Sequence, residues 1–162
     1  MYTSHLKIKP VNTGKGVFAN IQIPANIPIL EFGGDLNATQ DVSQDVSQDV
    51  LQIGPNFYLN PSGNIGDKVR HSCNPNCYLH IIGKRAMLYS AYLIQPESEL
   101  TFDYATSSTD NLDKWKMDCK CGAYNCRKVI SGLHYVSPAV QEEYKTKGLV
   151  PLFMTHSIFM KK

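Results

Sequence analysis

Apolar residues between positions 1 and 104 come in short runs cut by glycine, proline and asparagine. Leu6 to Lys9, Ile27 to Phe32, Phe57 to Asn60, Tyr78 to Ile82, Ala86 to Ile94 and Leu100 to Tyr104 are such runs. Short apolar segments bounded by turn formers read as strands of small sheets rather than as a parallel α/β core. Only one helix is signalled from end to end. Ser137 can cap it, Pro138 suits its first position, Glu142 and Glu143 sit early, Lys145 and Lys147 late, and Gly148 stops it. The expected fold is mostly β with short helices, and the C-terminal helix packs an amphipathic tail onto the body.

One stretch repeats. DVSQDVSQDV, residues 41 to 50, has a period of four and would line up Val42, Val46 and Val50 on a helix. Valine and aspartate are weak helix formers, so a marginal helix and an ordered loop are equally good readings. At two and a half copies it is too short for a solenoid. It reads as an expanded surface loop, a variable insert at about 37–52, with a substrate-recognition insert as the alternative.

The length, 162 residues, is enough for a real core, and 43% hydrophobic with 19% charged residues is the composition of an ordinary folded domain. A formal charge of +2 is too mild for the dense basic stripe that nucleic-acid binding leaves, so no direct nucleic-acid contact is expected. No apolar run is long enough for a membrane span, and MYTSHLKIKP lacks the regions of a signal peptide. The expectation is an intracellular protein, cytoplasmic or nuclear, with no membrane partner.

The five cysteines change the picture. Cys119, Cys121 and Cys126 crowd into CKCGAYNC, while Cys73 and Cys77 lie in HSCNPNC. In a reducing compartment such clusters are more often metal ligands than disulfides, and C-x-C neighbours cannot readily bridge each other. Structural zinc takes four ligands, so either Cys73 or Cys77 completes the set and the other is spare.

Several motifs then carry a family resemblance. GKGVFA (Gly14 to Ala19), ILEFGGDL (Ile29 to Leu36), GNIGDKVRHSCNPNC (Gly63 to Cys77), ELTFDY (Glu99 to Tyr104) and CKCGAYNCR occur in the order found in SET-domain protein-lysine methyltransferases with a post-SET zinc segment. The chain is also similar through its tail to small stand-alone microbial SET proteins. The resemblance implies a SET fold of several small β-sheets with a pseudoknot-like C-terminal crossing and a zinc-stapled tail. The SET domain would occupy 1–110, and the post-SET segment with its helix and tail 111–162. It also implies that one structural Zn2+ is held by Cys73, Cys119, Cys121 and Cys126, leaving Cys77 as a small buried apolar residue.

The implied reaction moves a methyl group from S-adenosylmethionine to a lysine amine, leaving S-adenosylhomocysteine. Only the neutral amine reacts, and an ammonium about 4 Å from the sulfonium is disfavoured by about 4 kcal/mol at an effective dielectric near 20. Tyr104 matches the catalytic tyrosine. Phe102 falls at the position where phenylalanine leaves room for partly methylated nitrogen, which implies di- or trimethylation. Gly14, Lys15 and Gly16 match the cofactor-approach turn, and Arg70, His71 and Tyr104 complete the cofactor side. Phe32, Phe102 and either Phe57 or Tyr58 would wall the target-lysine channel. The implied partner is a protein or peptide carrying the lysine, with histones or histone-like proteins natural candidates.

One departure bears on activity. The family usually has asparagine where Arg70 stands, and arginine where Asp67 stands. Either Arg70 points outward or pairs with a carboxylate, with the cofactor relying on backbone and His71, or the chain is an inactive, zinc-stapled binding module. A cysteine hydrolase using His71 with Cys73 or Cys77 lacks any supporting signature.

Overall fold

The computed structural model describes residues 1–38, 50–108 and 116–159. Most of the 41–50 repeat and the expected boundary after residue 110 lie outside the described residues. Strands β1 (Leu6–Val11) and β2 (Gly14–Ala19) form a hairpin, followed by β3 (Pro28–Phe32), β4 (Leu36–Ala38), β5 (Leu51–Gly54), β6 (Phe57–Leu59), β7 (Arg70–His71), β8 (Cys77–Ile82), β9 (Arg85–Ser90) and β10 (Thr101–Phe102). After them come β11 (Lys116–Asp118), β12 (Val129–Ser131) and the helices α1 (Pro138–Thr146) and α2 (Leu152–Phe159). The strands make small sheets: β1–β2, β3–β9–β8, β4–β6–β5, β11–β12 and the parallel pair β7–β10.

That parallel pair positions the site. Thr101 pairs with Arg70 and Phe102 with His71, so the end of ELTFDY lies beside the start of HSC. Asn76 reinforces the crossing: its side-chain amide donates to the Glu99 carbonyl at 2.8 Å, and its oxygen accepts the Thr101 N–H at 2.9 Å. One side chain thus satisfies two backbone groups that a longer ladder would otherwise pair.

The main core is aliphatic. Val17, Ile23, Ile29, Leu30, Leu79, Leu88, Ile94 and Leu100 are all essentially inaccessible. A second cluster, Ala105, Leu133, Val136, Tyr144 and Met154, seats the C-terminal helices.

The expected helix is present as α1, ended by Gly148 at φ +66°, where glycine carries no Cβ penalty. Ser137 flanks its start without a side-chain cap hydrogen bond. Helix α2 carries no polar face in its sequence, LFMTHSIF, so periodicity does not reveal it. The run from Ala86 to Ile94 is a strand only to Ser90, because the Ser90 hydroxyl turns the chain by bonding the Pro24 carbonyl at 2.6 Å. The run from Leu100 to Tyr104 is shorter too. Asp103 caps a 3-10 turn, Tyr104–Ser107, by accepting the Ala105 N–H at 3.0 Å. Among the described residues, no helix is long and apolar enough to cross a membrane.

Candidate functional site

Tyr104 begins the turn that follows β10, partly buried and held at both ends. Its hydroxyl donates to the Val69 carbonyl at 2.9 Å, and its backbone N–H donates to His71 Nδ1 at 3.2 Å. Aromatic rings continue from it in a chain. Phe102 lies 4.9 Å from Tyr104 between centroids, Phe32 lies 5.8 Å from Phe102 edge-on, and His71 stands 5.4 Å from Tyr104 on the other side. Three of the expected site aromatics, Phe32, Phe102 and Tyr104, are therefore contiguous. Phe57 and Tyr58 are neighbours on β6 and face opposite ways. Phe57 packs on the main core under the Lys84 ammonium, whereas Tyr58 is buried and its hydroxyl finds no hydrogen-bond partner among the described residues. Burial pushes that phenol up.

Four of the five cysteines come together in one cluster. Cys73 and Cys119 are buried with their sulfurs 3.7 Å apart, and His71, Cys73, Cys119 and Cys121 bring one ligand atom each within 4.8 Å of one another. Cys126 belongs to the same buried cluster, its sulfur 3.7 Å from the Cys119 carbonyl. A sulfur separation of 3.7 Å is far beyond a disulfide at ~2.05 Å. It is close to the edge, roughly 3.8 Å, of a tetrahedron built on Zn–S bonds of ~2.3 Å. The Arg127 N–H donates to Cys73 Sγ at 3.4 Å. Burial disfavours the Cys121 thiolate, but backbone N–H groups of Cys73 and Ala123 prevail and draw it down to about 7. The donor set fits a structural zinc ion.

His71 and Cys126 both stand beside the three thiols as a fourth ligand. Burial, aided by the Arg127 charge and opposed by Asp103, holds the ring down to about 4, so it is neutral near pH 7. Its Nδ1 lies 3.2 Å from the Tyr104 N–H and 3.4 Å from Asp103 Oδ1, while Nε2 stands 3.3 Å from Cys73 Sγ. Both ring nitrogens are engaged internally. Cys77 lies apart on β8, fully buried, and burial pushes its thiol up strongly.

Arg70 pairs with a carboxylate. Its Nη1 donates to Glu99 Oε1 at 3.1 Å and its Nη2 to Thr13 Oγ1 at 2.6 Å, at the tip of the β1–β2 hairpin next to Gly14. Asp67, at 2.5 Å, accepts the Gly63 N–H instead of meeting the site.

Sequence reasoning missed Asp103. Its carboxylate is 2% exposed and gathers four donors. Arg127 Nη1 and the Tyr144 hydroxyl reach Oδ2 at 2.7 and 2.8 Å, while Arg127 Nη2 and the Ala105 N–H reach Oδ1 at 2.8 and 3.0 Å. One residue therefore joins the turn bearing Tyr104, the cysteine segment and helix α1. Its place between Phe102 and Tyr104 was the available signal, since aspartate inside an apolar run needs partners.

A family model described as "SET domain" matches residues 14–105, more than half of the chain, and the chain belongs to that family. Among relatives, histone-lysine N-methyltransferase set-2 of Caenorhabditis elegans is 39% identical over 69 residues, 40% of this chain and 4% of that protein. Histone-lysine N-methyltransferase TRX1 of Oryza sativa subsp. japonica is 28% identical over 135 residues, 73% of this chain and 13% of that protein. This chain thus spans a small part of the relatives it matches. Among solved structures, KRYPTONITE in complex with DNA, an H3(1-15) peptide and S-adenosylhomocysteine superposes with a TM-score of 0.64 at 28% identity, covering 78% of this chain and 29% of that one. The fold is likewise that of SUVH6 from Arabidopsis thaliana, with a TM-score of 0.66 at 24% identity over 80% of this chain and 34% of that one.

Proposed function

We propose that this chain methylates a lysine side chain of a protein, with S-adenosylmethionine as donor, and carries its SET body on 1–110 and a zinc-held post-SET tail on 111–162. The observation that carries the reading is Tyr104. It stands where the aromatic row meets the cysteine cluster, with its hydroxyl fixed in direction by the bond it donates to the Val69 carbonyl.

When bound, S-adenosylmethionine supplies an electrophilic methyl whose bond to sulfur breaks as the lysine nitrogen bonds to carbon, the pair returning to sulfur. The rings of Phe32 and Phe102 exclude water from the lysine amine and favour its neutral form, the proton leaving to solvent. Tyr104 orients the amine and the methyl in line, which supplies much of the rate. Phe102 brings no hydroxyl to hold the nitrogen in one orientation, so a nitrogen that already carries methyl groups can turn, supporting di- and trimethylation. Phe57 or Tyr58 would add a further wall. Gly14, Lys15, Gly16, Arg70, His71 and Tyr104 form the cofactor side. Cys73, Cys119, Cys121 and Cys126 would hold one structural Zn2+ that fastens the tail.

The substrate is a lysine-bearing protein segment, with histones or histone-like proteins first to test, given that the matched relatives are histone-lysine methyltransferases. DNA in the KRYPTONITE complex is held by a longer chain, so absence of direct nucleic-acid binding is checked by a gel-shift titration. Kinship to histone methyltransferases supports an intracellular, nuclear or cytoplasmic site of action.

Incubation with tritiated S-adenosylmethionine and histone H3 should label lysine, and Tyr104→Phe should remove most of the label. Undiminished transfer by that variant would sink the role of Tyr104. The second reading, an inactive binding module, draws on Arg70 in place of asparagine. No heat of binding with either S-adenosylmethionine or S-adenosylhomocysteine would favour it.

A further inference from the structure

Alternation along β7 sends the side chains of Arg70 and His71 to opposite faces. His71 turns inward to Cys73 and Tyr104, and Arg70 turns toward the β1–β2 hairpin. There the guanidinium spans two groups that nothing in the sequence links. It reaches Thr13 Oγ1 at 2.6 Å, in the turn between the strands, and Glu99 Oε1 at 3.1 Å. Glu99 is anchored from behind, by a backbone bridge to Phe18 and by Asn76 on its carbonyl.

Gly16 completes the arrangement. A Cβ built on Gly16 would land on Glu99 Oε1, the oxygen that Arg70 holds. The glycine is therefore where the hairpin backbone lies flat against that carboxylate. The root of the hairpin is fixed by backbone bonds, Ala19 to Ser98 at 3.0 Å and Leu100 to Val17 at 2.7 Å. The tip, Thr13 to Gly16, is tied to β7 by the Arg70 side chain. Arg70 in turn follows Val69, whose carbonyl accepts the Tyr104 hydroxyl.

We propose that Arg70 is a positioning residue: paired with Glu99 and bonded to Thr13, it clamps the Gly14–Lys15–Gly16 turn in the position that receives S-adenosylmethionine. This rests on the reading of that turn as the cofactor side. Arg70 then contributes no free positive charge to the site, because Glu99 neutralises it. Its span from strand to hairpin stands in for what a shorter polar side chain at residue 70 cannot reach. The clamp sets cofactor affinity by holding the turn closed before binding, so that less ordering remains when the ligand arrives.

The test compares wild type with Arg70→Ala, Arg70→Lys, Glu99→Gln and Thr13→Val, all metal-loaded. Hydrogen exchange is measured on the cofactor-free protein, and Kd by calorimetry for cationic S-adenosylmethionine and neutral S-adenosylhomocysteine. A clamp predicts exchange at residues 13–16 about tenfold faster in Arg70→Ala, with residues 6–9 unchanged. Both Kd values should rise by about tenfold, their ratio constant. Arg70→Lys and Glu99→Gln should move the same way. Thr13→Val, at an exposed tip where folding is not at stake, should move it less. Unchanged exchange at 13–16 in Arg70→Ala overturns the clamp. So does selective tightening of S-adenosylmethionine, the mark of a free cation facing the sulfonium. If wild type binds neither ligand, the methyltransferase reading falls, and the exchange arm alone decides the clamp.

Discussion

Replacing Asp103 by asparagine tests whether the buried carboxylate holds the tail to the body. The substitution keeps the size and one oxygen. With the oxygen at the Oδ1 position, the Ala105 N–H and Arg127 Nη2 keep their acceptor, and the new amide faces Arg127 Nη1 and the Tyr144 hydroxyl. The hydroxyl can rotate and accept from the amide, but the guanidinium only donates, so one donor-to-donor conflict and an unpaired cation remain. Breaking a buried pair costs about 3–5 kcal/mol. The Arg127 side chain keeps 19% of its exposure and can partly rehydrate, so the low end, about 3 kcal/mol, applies. Tyr144→Phe removes one bond to a charged acceptor that keeps three others, about 1.5 kcal/mol. At roughly 2–4 °C per kcal/mol for a chain of this size, these are melting shifts of about 6–12 °C and 3–6 °C. The assay is urea unfolding at fixed zinc, because metal binding contributes to the apparent stability. The two changes share one carboxylate, so the double variant should be less destabilised than the sum by about 1 kcal/mol. Strict additivity, or a Tyr144→Phe cost within 0.3 kcal/mol of zero, would refute a shared hub.

Phe102→Tyr places a hydroxyl in the row between Phe32 and Tyr104, and mass spectrometry should show product shifting from di- and trimethyl-lysine toward monomethyl-lysine; an unchanged distribution rejects the channel placement. Cys73→Ala should lower bound zinc from one ion per chain to a small fraction, whereas Cys77→Ala should keep the full ion and lose about 1 kcal/mol of packing. Equal metal loss in both would overturn the division of the cysteines. The Tyr144 hydroxyl is pushed well above its ordinary ~10 by burial and then by the Asp103 charge. The folded chain thus keeps a proton that the unfolded chain releases. The advantage of wild type over Tyr144→Phe should be full below about pH 10 and shrink as pH rises beyond it. A difference that grows above pH 10 would reverse the sign of the argument.

Local chemistry made some parts of this molecule legible and long-range geometry hid others. The strands at Leu6, Pro28, Phe57 and Cys77 announce themselves because each buries alternate or consecutive apolar residues next to turn formers. Strand β2 was hidden under GKGVFA, whose glycines read as a turn although they pair with Lys9 and Val11 across the hairpin. Strands β11 and β12 hold three residues each, too few for periodicity to register. The convergence of Cys73 with Cys119 and Cys121 was legible from thiol chemistry and the family motifs. The partners of Arg70 were not, since Thr13 and Glu99 lie 57 and 29 residues away and only the hairpin's fold brings them together.

The apolar clusters also explain why a chain with an adequate core has use for a metal. Successive residues at the end of ELTFDYA serve different clusters: Phe102 the main core, Tyr104 both the main core and the cysteine cluster, Ala105 the cluster under the C-terminal helices. The first is rich in aliphatic side chains and the helical cluster buries Leu133, Val136, Tyr144 and Met154. The cysteine cluster has Ile130 as its one fully apolar buried side chain among the described residues. Burying an isoleucine contributes about 1.5–3 kcal/mol. Ordering the backbone of a segment such as 116–131 costs about 1–2 kcal/mol per residue, many times what that burial returns. A structural Zn2+ contributes about 10–16 kcal/mol, enough to offset a large part of that cost. The tail therefore needs a fastening beyond burial, which the Arg127–Asp103 pair supplies in part and which an ion held by the clustered sulfurs would supply further.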